Sequence, residues 1–197
     1  MSDFESRFLA FLKNRIDAMG VTESGAYEYY AVRVQREDAF VNYERVLMDH
    51  ILASPPARVV HAGIGIGPVI ARLSQAGIPC VGYESDGARY AAAVALREEL
   101  GLGYELRKAY YPDADIGSGG LLLFTNVGAG WTREQEDAII ATFPNFDEVI
   151  LDLRLFGHIR NEEADREELR WRIAAVGLVA DLPPIAGAFY VRIAPIR

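Results

Sequence analysis

The strongest constraint on the fold is a regular alternation of short apolar strands and helices from Arg58 onward. The predicted strands and helices follow one another in the order 58–62, 68–76, 79–83, 86–100, 104–108, 121–125, 132–143, 148–153 and 161–176. We expect Asp86, a capping box of Thr132 with Gln135, and Asn161 to cap the last three of these helices. Parallel strands need crossover connections, and helices usually supply them. The pattern therefore predicts an α/β fold with a doubly wound, mostly parallel sheet and helices on both faces.

Two further predicted strands, 178–182 and 189–194, bring the sheet to seven strands. The segment between them, Pro183-Pro184-Ile185-Ala186-Gly187, is too short to form a parallel crossover. These strands should therefore pair antiparallel or lie apart.

The first 57 residues follow a different pattern. Apolar side chains recur at helical spacing over 4–19, and a second helix is predicted over 37–53. The stretch 21–36 is rich in tyrosine and poorly periodic. We expect an N-terminal helical segment over 1–57 and a sheet domain over 58–197.

Composition excludes several classes of protein. The chain of 197 residues is 51% apolar with a net charge of −8, which argues against disorder and against nucleic-acid binding. Its apolar runs are far shorter than the roughly 20 residues that span a bilayer, and the amino end lacks a signal-peptide pattern. The single Cys80 and three scattered histidines predict neither a disulfide nor a metal site. We expect a cytoplasmic protein with no membrane partner, in an oligomeric state that the sequence leaves open.

A glycine-rich turn joins the first predicted strand of the sheet to the next helix. Gly63, Gly65 and Gly67 alternate with isoleucines, and Pro68 begins the helix. Glycines permit a tight turn and let a ligand approach the backbone, while the helix start presents free amides. The turn therefore predicts either a ligand-binding loop or merely a tight connection.

An acid follows this turn at an informative distance. Glu84 ends the second predicted strand of the sheet, 21 positions after Gly63. In nucleotide-binding α/β folds, an acid about 20 residues after the glycines accepts hydrogen bonds from ribose hydroxyls. Together the two features predict a site for an adenosine-containing ligand without a 2′-phosphate. The alternative is a solvated carboxylate at a strand end.

The glycine spacing distinguishes between cofactors. The dinucleotide pattern Gly-x-Gly-x-x-Gly would need a glycine where Pro68 stands, which disfavours an NAD-linked oxidoreductase. Gly63-x-Gly65-x-Gly67 instead resembles motif I of the class I S-adenosylmethionine-dependent methyltransferases. The resemblance covers about 58–197 and includes Glu84 and the terminal strand pair. It implies S-adenosylmethionine as the cofactor, with the loop under its methionine part and Glu84 on its ribose. The implied cofactor-binding residues are His61, Gly63, Ile64, Gly65, Gly67, Glu84, Ser85, Tyr110 and Asn126.

Two positions depart from the family pattern. His61 stands where the family usually carries an acid that helps to hold the cofactor's ammonium group. A neutral imidazole can accept a hydrogen bond there, whereas a protonated one would repel the ammonium. The alternative for His61 is a strand-end residue bonded to a neighbour. The family often places an adenine-binding acid after the third strand, where this chain has Ala109 and Tyr110.

The acceptor side is predicted less sharply. The resemblance makes the N-terminal segment a lid or acceptor pocket and turns the edge after the fourth strand toward the acceptor. The candidate acceptor residues are Tyr29, Tyr30, Trp131 and His158, with Asn126 able to orient the acceptor. The tyrosines and Trp131 have the alternative of packing in the core. No catalytic base is identified, although Asp152 and His158 are candidates.

The sequence therefore predicts an S-adenosylmethionine-dependent methyltransferase that acts on a small molecule. Two alternatives remain open: a non-catalytic protein that keeps the fold for binding, and a transferase that moves the aminocarboxypropyl group of the same cofactor.

Overall fold

A seven-stranded sheet forms the centre of the fold. We describe it from a computed structural model, which covers residues 2–19, 25–111, 114–125, 127, 130–183 and 188–196. The strands are β1 (Val59–Ala62), β2 (Cys80–Glu84), β3 (Glu105–Lys108), β4 (Leu121–Phe124), β5 (Glu148–Asp152), β6 (Gly177–Asp181) and β7 (Tyr190–Pro195). Their order is β3-β2-β1-β4-β5-β7-β6.

The sheet is parallel from β3 to β5, and β7 is antiparallel to both β5 and β6. This confirms the predicted mostly parallel sheet and its antiparallel terminal pair. The strand order reverses between the neighbouring strands β1 and β4. The chain runs outward from β1 to β3 on one side and outward from β4 on the other. Ligands of open α/β sheets bind beyond the carboxyl ends of the strands at such a point.

Helices cover both faces of the sheet. They are α1 (Asp3–Met19), α2 (Gly25–Gln35), α3 (Asn42–Ala53), α4 (Pro68–Gln75), α5 (Gly87–Leu100), α6 (Arg133–Ile140) and α7 (Glu163–Ala174). Asp86 caps α5 by accepting from the amide of Arg89 at 2.8 Å, as predicted. Thr132 and Gln135 form the predicted capping box of α6.

Two local predictions differ from the structure. The poorly periodic stretch after Met19 contains α2 over Gly25–Gln35, because helices with weak intrinsic patterns form when tertiary packing stabilises them. Tyr30 and Arg33 of α2 are both buried. Asn161 was expected to cap α7, but the N-cap is Glu162, and α7 begins at Glu163.

The alternation of side chains along each strand divides the core into two clusters, one on each face of the sheet. Val59 of β1 belongs to the first cluster and Val60 to the second. The first cluster combines the sheet with α1 to α5, including Phe4 and Phe8 of α1. The second combines it with α6 and α7. The division at residue 57 stays a prediction.

The N-terminal helices reach the far half of the sheet. Tyr43 of α3 lies against Tyr190 of β7, with ring centroids 6.4 Å apart. Tyr190 in turn donates a hydrogen bond to the carbonyl of Thr125, which follows β4, at 3.2 Å. The first core cluster therefore contains residues from both the N-terminal and the C-terminal parts of the chain.

Among the helices that the structure describes, none is long and apolar enough to cross a membrane.

Candidate functional site

The glycine turn lies at the carboxyl end of β1, beside the reversal of strand order. Gly63, Gly65 and Gly67 have φ angles of +65°, +61° and +83°, a region that side chains with a Cβ rarely adopt. The amides of Gly63 and Ile64 both donate to the carbonyl of Tyr83 on β2, at 2.9 and 3.1 Å. Gly67 is the N-cap of α4. The three glycines are thus required by the backbone itself, and the turn ends at a helix amino terminus.

Glu84 lies against this turn rather than in solvent. Its side chain is buried at the end of β2. One carboxylate oxygen accepts from the amide of Gly65 at 2.8 Å, and the other accepts from the amide of Asp86 at 2.9 Å. Each carboxylate oxygen has a second lone pair, so Glu84 retains capacity for hydroxyl donors. The neighbouring Ser85 is exposed beside it.

Helix α2 covers the glycine turn. A Cβ on Gly65 would lie 3.3 Å from the hydroxyl oxygen of Tyr30, which is itself buried. The guanidinium carbon of Arg33 lies 4.5 Å from the Tyr30 ring centroid. Arg33 also forms a buried bidentate pair with Glu44 of α3, at 2.7 and 3.0 Å. These contacts fix Tyr30 above the turn, while the side chain of Tyr29 lies outside the described part of the chain.

We expect Gly65→Ala to reduce, at least tenfold, the affinity for S-adenosylmethionine, the ligand that the resemblance implies for this turn. Its Cβ enters the space between the turn and the Tyr30 hydroxyl, and the positive φ adds strain of about 1 kcal/mol. Gly77→Ala is the matched control, since Gly77 has φ of +87° and open space around its Cβ position. Both variants should lose similar stability in denaturant unfolding, and only Gly65→Ala should lose ligand affinity in calorimetry. Equal affinities would contradict the assignment of the turn.

His61 is buried at the end of β1, with 1% of its surface exposed. Its Nε2 lies 3.0 Å from the hydroxyl of Thr125, and within the described residues its Nδ1 has no hydrogen-bond partner. Burial lowers the pKa of His61 to about 3, so the imidazole is neutral at physiological pH. A neutral ring does not repel an ammonium group. The bond to Thr125 agrees with the strand-end alternative, and the cofactor-facing role stays a prediction.

The loops after β4 and β5 pack together beside the glycine turn. Val127 forms a bridge to Phe156, and its Cγ2 lies 3.1 Å from where a Cβ on Gly63 would stand. The amide of Trp131 donates to the carbonyl of Gly157 at 2.9 Å. The turn therefore has neighbours from both halves of the sheet. Asn126 lies outside the described residues.

Trp131 is packed in an aromatic cluster of the second core. Its exposed fraction is 5%, and its ring stacks on Tyr111 and meets Phe156 edge to face. This favours the core alternative for Trp131, although an edge of the indole facing the acceptor stays a prediction. Tyr110, which follows β3, is half-buried next to this cluster.

The Asp152 carboxylate is tied into the backbone. One of its oxygens accepts from the amides of Arg154 and Phe189, both at 3.0 Å. Burial raises the pKa of Asp152, with the two amides acting in the opposite direction. These bonds join the end of β5 to the residue before β7. Asp152 therefore has a structural role.

A buried ionic cluster lies beneath the loop that follows β5, and the sequence did not predict it. Glu136 of α6 is fully buried and accepts hydrogen bonds from Arg160 and from Arg172, the latter at 2.8 Å. His158 Nδ1 lies 2.7 Å from the same carboxylate. The available signal was helical spacing, because Glu136 stands three and four positions before the buried Ile139 and Ile140. A charged residue on the apolar face of a helix requires partners.

No protein-family model matches the sequence, and no curated protein matches it. Several solved structures do match the fold. Magnesium protoporphyrin IX methyltransferase (ChlM) from Synechocystis PCC 6803, solved with bound SAM, is 15% identical with a TM-score of 0.62, covering 100% of this chain and 99% of its own.

Two further structures have the same architecture. A TehB-like SAM-dependent methyltransferase from Corynebacterium glutamicum is 16% identical, with a TM-score of 0.62 and coverage of 86% of this chain and 97% of its own. The N-methyltransferase NodS from Bradyrhizobium japonicum WM9 is 8% identical, with a TM-score of 0.59 and coverage of 78% and 93%. At these identities the comparisons establish the fold, which is that of the class I methyltransferases.

Proposed function

We propose that the protein is an S-adenosylmethionine-dependent methyltransferase that acts on a small molecule. The observation that carries the proposal is the contact between the Glu84 carboxylate and the amide of Gly65 at 2.8 Å. It joins the candidate ribose acid to the glycine turn at the point where the sheet order reverses. Similar structures solved with SAM and with SAH support this choice of cofactor.

The residues of the turn fit this cofactor. Glycine at 63 and 65 leaves room for Val127 and for the Tyr30 hydroxyl beside the turn, and no Cβ of the turn itself limits a ligand's approach to its backbone. The Glu84 carboxylate can accept from both vicinal hydroxyls of a ribose, since a lone pair remains on each oxygen. The bound cofactor would supply a methyl group already activated by its sulfonium. The task left to the protein is to hold the acceptor in line and keep water away.

Helix α2 supports a small acceptor. Tyr30 lies over Gly65, and its ring contacts Arg33 of the Arg33–Glu44 pair, so α2 covers the turn on the side of the N-terminal helices. A covered site of this kind suits a ligand that is enclosed rather than a nucleic-acid duplex. The net charge of −8 also disfavours a polyanionic acceptor. One of the similar structures carries the name of a methyltransferase for magnesium protoporphyrin IX, which agrees with a small acceptor.

Glu84→Gln should weaken S-adenosylmethionine binding about 10- to 100-fold. A hydrogen bond to a charged group contributes roughly 1.5–3 kcal/mol, and the amide side chain accepts through one oxygen only. Titration calorimetry of wild type and variant with S-adenosylmethionine and S-adenosylhomocysteine measures the loss. Glu105→Gln, at an exposed position of β3, is the matched control and should bind as wild type does.

Failure of the wild type to bind either compound would refute the proposal, as would unchanged binding by Glu84→Gln. Mass analysis of the methylated product then distinguishes methyl transfer from transfer of the aminocarboxypropyl group.

A further inference from the structure

The loop after β5 carries a histidine that is paired with a buried carboxylate. His158 Nδ1 lies 2.7 Å from Glu136 Oε1, and the His158 side chain is 49% exposed while Glu136 is 1% exposed. A carboxylate only accepts at this contact, so the proton between them belongs to Nδ1. In the neutral ring, Nε2 then carries the lone pair. The pairing therefore fixes the tautomer in which the outer nitrogen of His158 is the basic one.

The carboxylate that orients His158 is itself immobilised. Arg160 donates to the Glu136 oxygen that faces His158, and Arg172 of α7 donates to the other oxygen at 2.8 Å. Arg172 also bonds Asp137, the next residue of α6. Arg160 further donates to the carbonyls of Phe156 and His158. The Arg160 guanidinium thus binds both the backbone around His158 and the Glu136 carboxylate. These bonds restrict the movement of both groups.

The loop that carries His158 belongs to the edge of the sheet where the cofactor site lies. Val127 donates to the carbonyl of Leu155 at 3.1 Å and accepts from the amide of Gly157 at 3.1 Å. Val127 also packs against Gly63 of the glycine turn. Ile159, next to His158, is 58% exposed and adds apolar surface to this loop. A half-exposed base with an apolar neighbour suits an acceptor that is largely apolar and has one polar group.

We propose that His158 is the general base of the reaction and that the acceptor group is a hydroxyl on a largely apolar compound. This rests on the proposed function. The acceptor oxygen forms a bond to the methyl carbon, the carbon–sulfur bond breaks, and its electron pair stays on the sulfur. The proton of the hydroxyl passes to Nε2 of His158 and from there to solvent. Glu136 keeps its bond to Nδ1 and stabilises the imidazolium that forms.

The choice of a hydroxyl over a thiol or a carboxylic acid follows from what a base contributes. A thiol or a carboxylic acid is ionised, or readily becomes so, near neutral pH and has little need of a positioned base. A hydroxyl retains its proton at that pH, and its oxygen becomes a good nucleophile as the proton leaves. General-base catalysis contributes about 10²- to 10⁴-fold in such steps.

The first test examines the tautomer without any turnover. Nitrogen NMR of the cofactor-free protein with labelled histidine should show His158 protonated on Nδ1, and His158→Gln assigns its signals. A signal from the tautomer protonated on Nε2 would overturn the proposal, because that nitrogen would have no lone pair to offer.

The second test uses a panel of largely apolar hydroxyl compounds, aromatic and aliphatic, each paired with its thiol and carboxylate analogues, and measures the release of S-adenosylhomocysteine. We expect methylation of a hydroxyl compound, a loss of at least 100-fold in kcat for His158→Ala, and partial recovery with added imidazole. The affinity of His158→Ala for S-adenosylmethionine should equal that of the wild type. His50→Ala is the matched control and should retain full activity.

Three results would overturn the assignment of His158: full activity of His158→Ala, methylation of thiols or carboxylates alone, or no methylation in the panel by a protein that binds S-adenosylmethionine. A wild type that fails to bind the cofactor would instead overturn the proposed function, so the two failures are distinguishable.

Discussion

Replacing Glu136 with glutamine should lower the free energy of unfolding by about 4 kcal/mol. Glu136 is fully buried and accepts from the buried guanidinium groups of Arg160 and Arg172. Removing one partner of a buried ion pair costs roughly 3–5 kcal/mol, because the remaining charge is left uncompensated in a poorly solvated place. Urea or guanidinium unfolding followed by circular dichroism gives the difference directly.

Two further variants separate this cause from a general sensitivity of the chain. Glu98→Gln, at an exposed position of α5, should unfold as the wild type does. The triple variant Glu136→Leu, Arg160→Met, Arg172→Leu should recover most of the stability, since apolar residues of similar volume replace buried ion pairs at little cost. A loss below 1 kcal/mol for Glu136→Gln would mean that water or other groups compensate the two arginines.

Acid should destabilise the protein through His61, and this is the second large effect. Burial lowers the pKa of His61 from 6.5 to about 3 in the folded chain. Above pH 6.5 the ring is neutral in both states, and His61 makes no pH-dependent contribution. Between pH 6.5 and 3 the unfolded chain binds a proton that the folded chain does not, so stability falls by about 1.4 kcal/mol per pH unit. At pH 4.5 the loss from this one group is about 3 kcal/mol.

The comparison with His61→Asn isolates this contribution. Asparagine keeps a group that can bond Thr125 and does not titrate. Between pH 7.5 and pH 4.5, the unfolding free energy of the wild type should fall by about 3 kcal/mol more than that of His61→Asn. His50→Asn is the control and should follow the wild-type curve. Parallel curves for wild type and His61→Asn would show that His61 is solvated and that its pKa is not depressed.

The features that the sequence predicted well are those encoded within a few neighbouring residues. The glycine turn is one, since the positive φ angles of Gly63, Gly65 and Gly67 leave few other residues acceptable there. The caps at Asp86 and Thr132 are others, because a cap and its amide partner lie three positions apart. The alternation of short apolar strands with helices likewise predicted the sheet, because strands covered by helices on both faces are apolar along their length.

The features that the sequence did not predict depend on residues far apart in the chain. Tyr30 was a candidate among several tyrosines, and its position over Gly65 depends on how α2 packs. The partner of His61 is Thr125, 64 positions later, and the partners of Glu136 come from the β5 loop and from α7. Local pattern indicates that a buried polar residue needs a partner, whereas the fold decides which residue that partner is.

The contact between Tyr43 of α3 and Tyr190 of β7 has a consequence for biosynthesis. Tyr43 leaves the ribosome 147 residues before Tyr190, which at about 5–20 residues per second is roughly 7–30 s earlier. Phe4 and Phe8 of α1 stack on Phe40, so their partner is made early. The N-terminal helices can therefore pack with one another during synthesis, whereas the contact between α3 and β7 forms only after nearly the whole chain has been made.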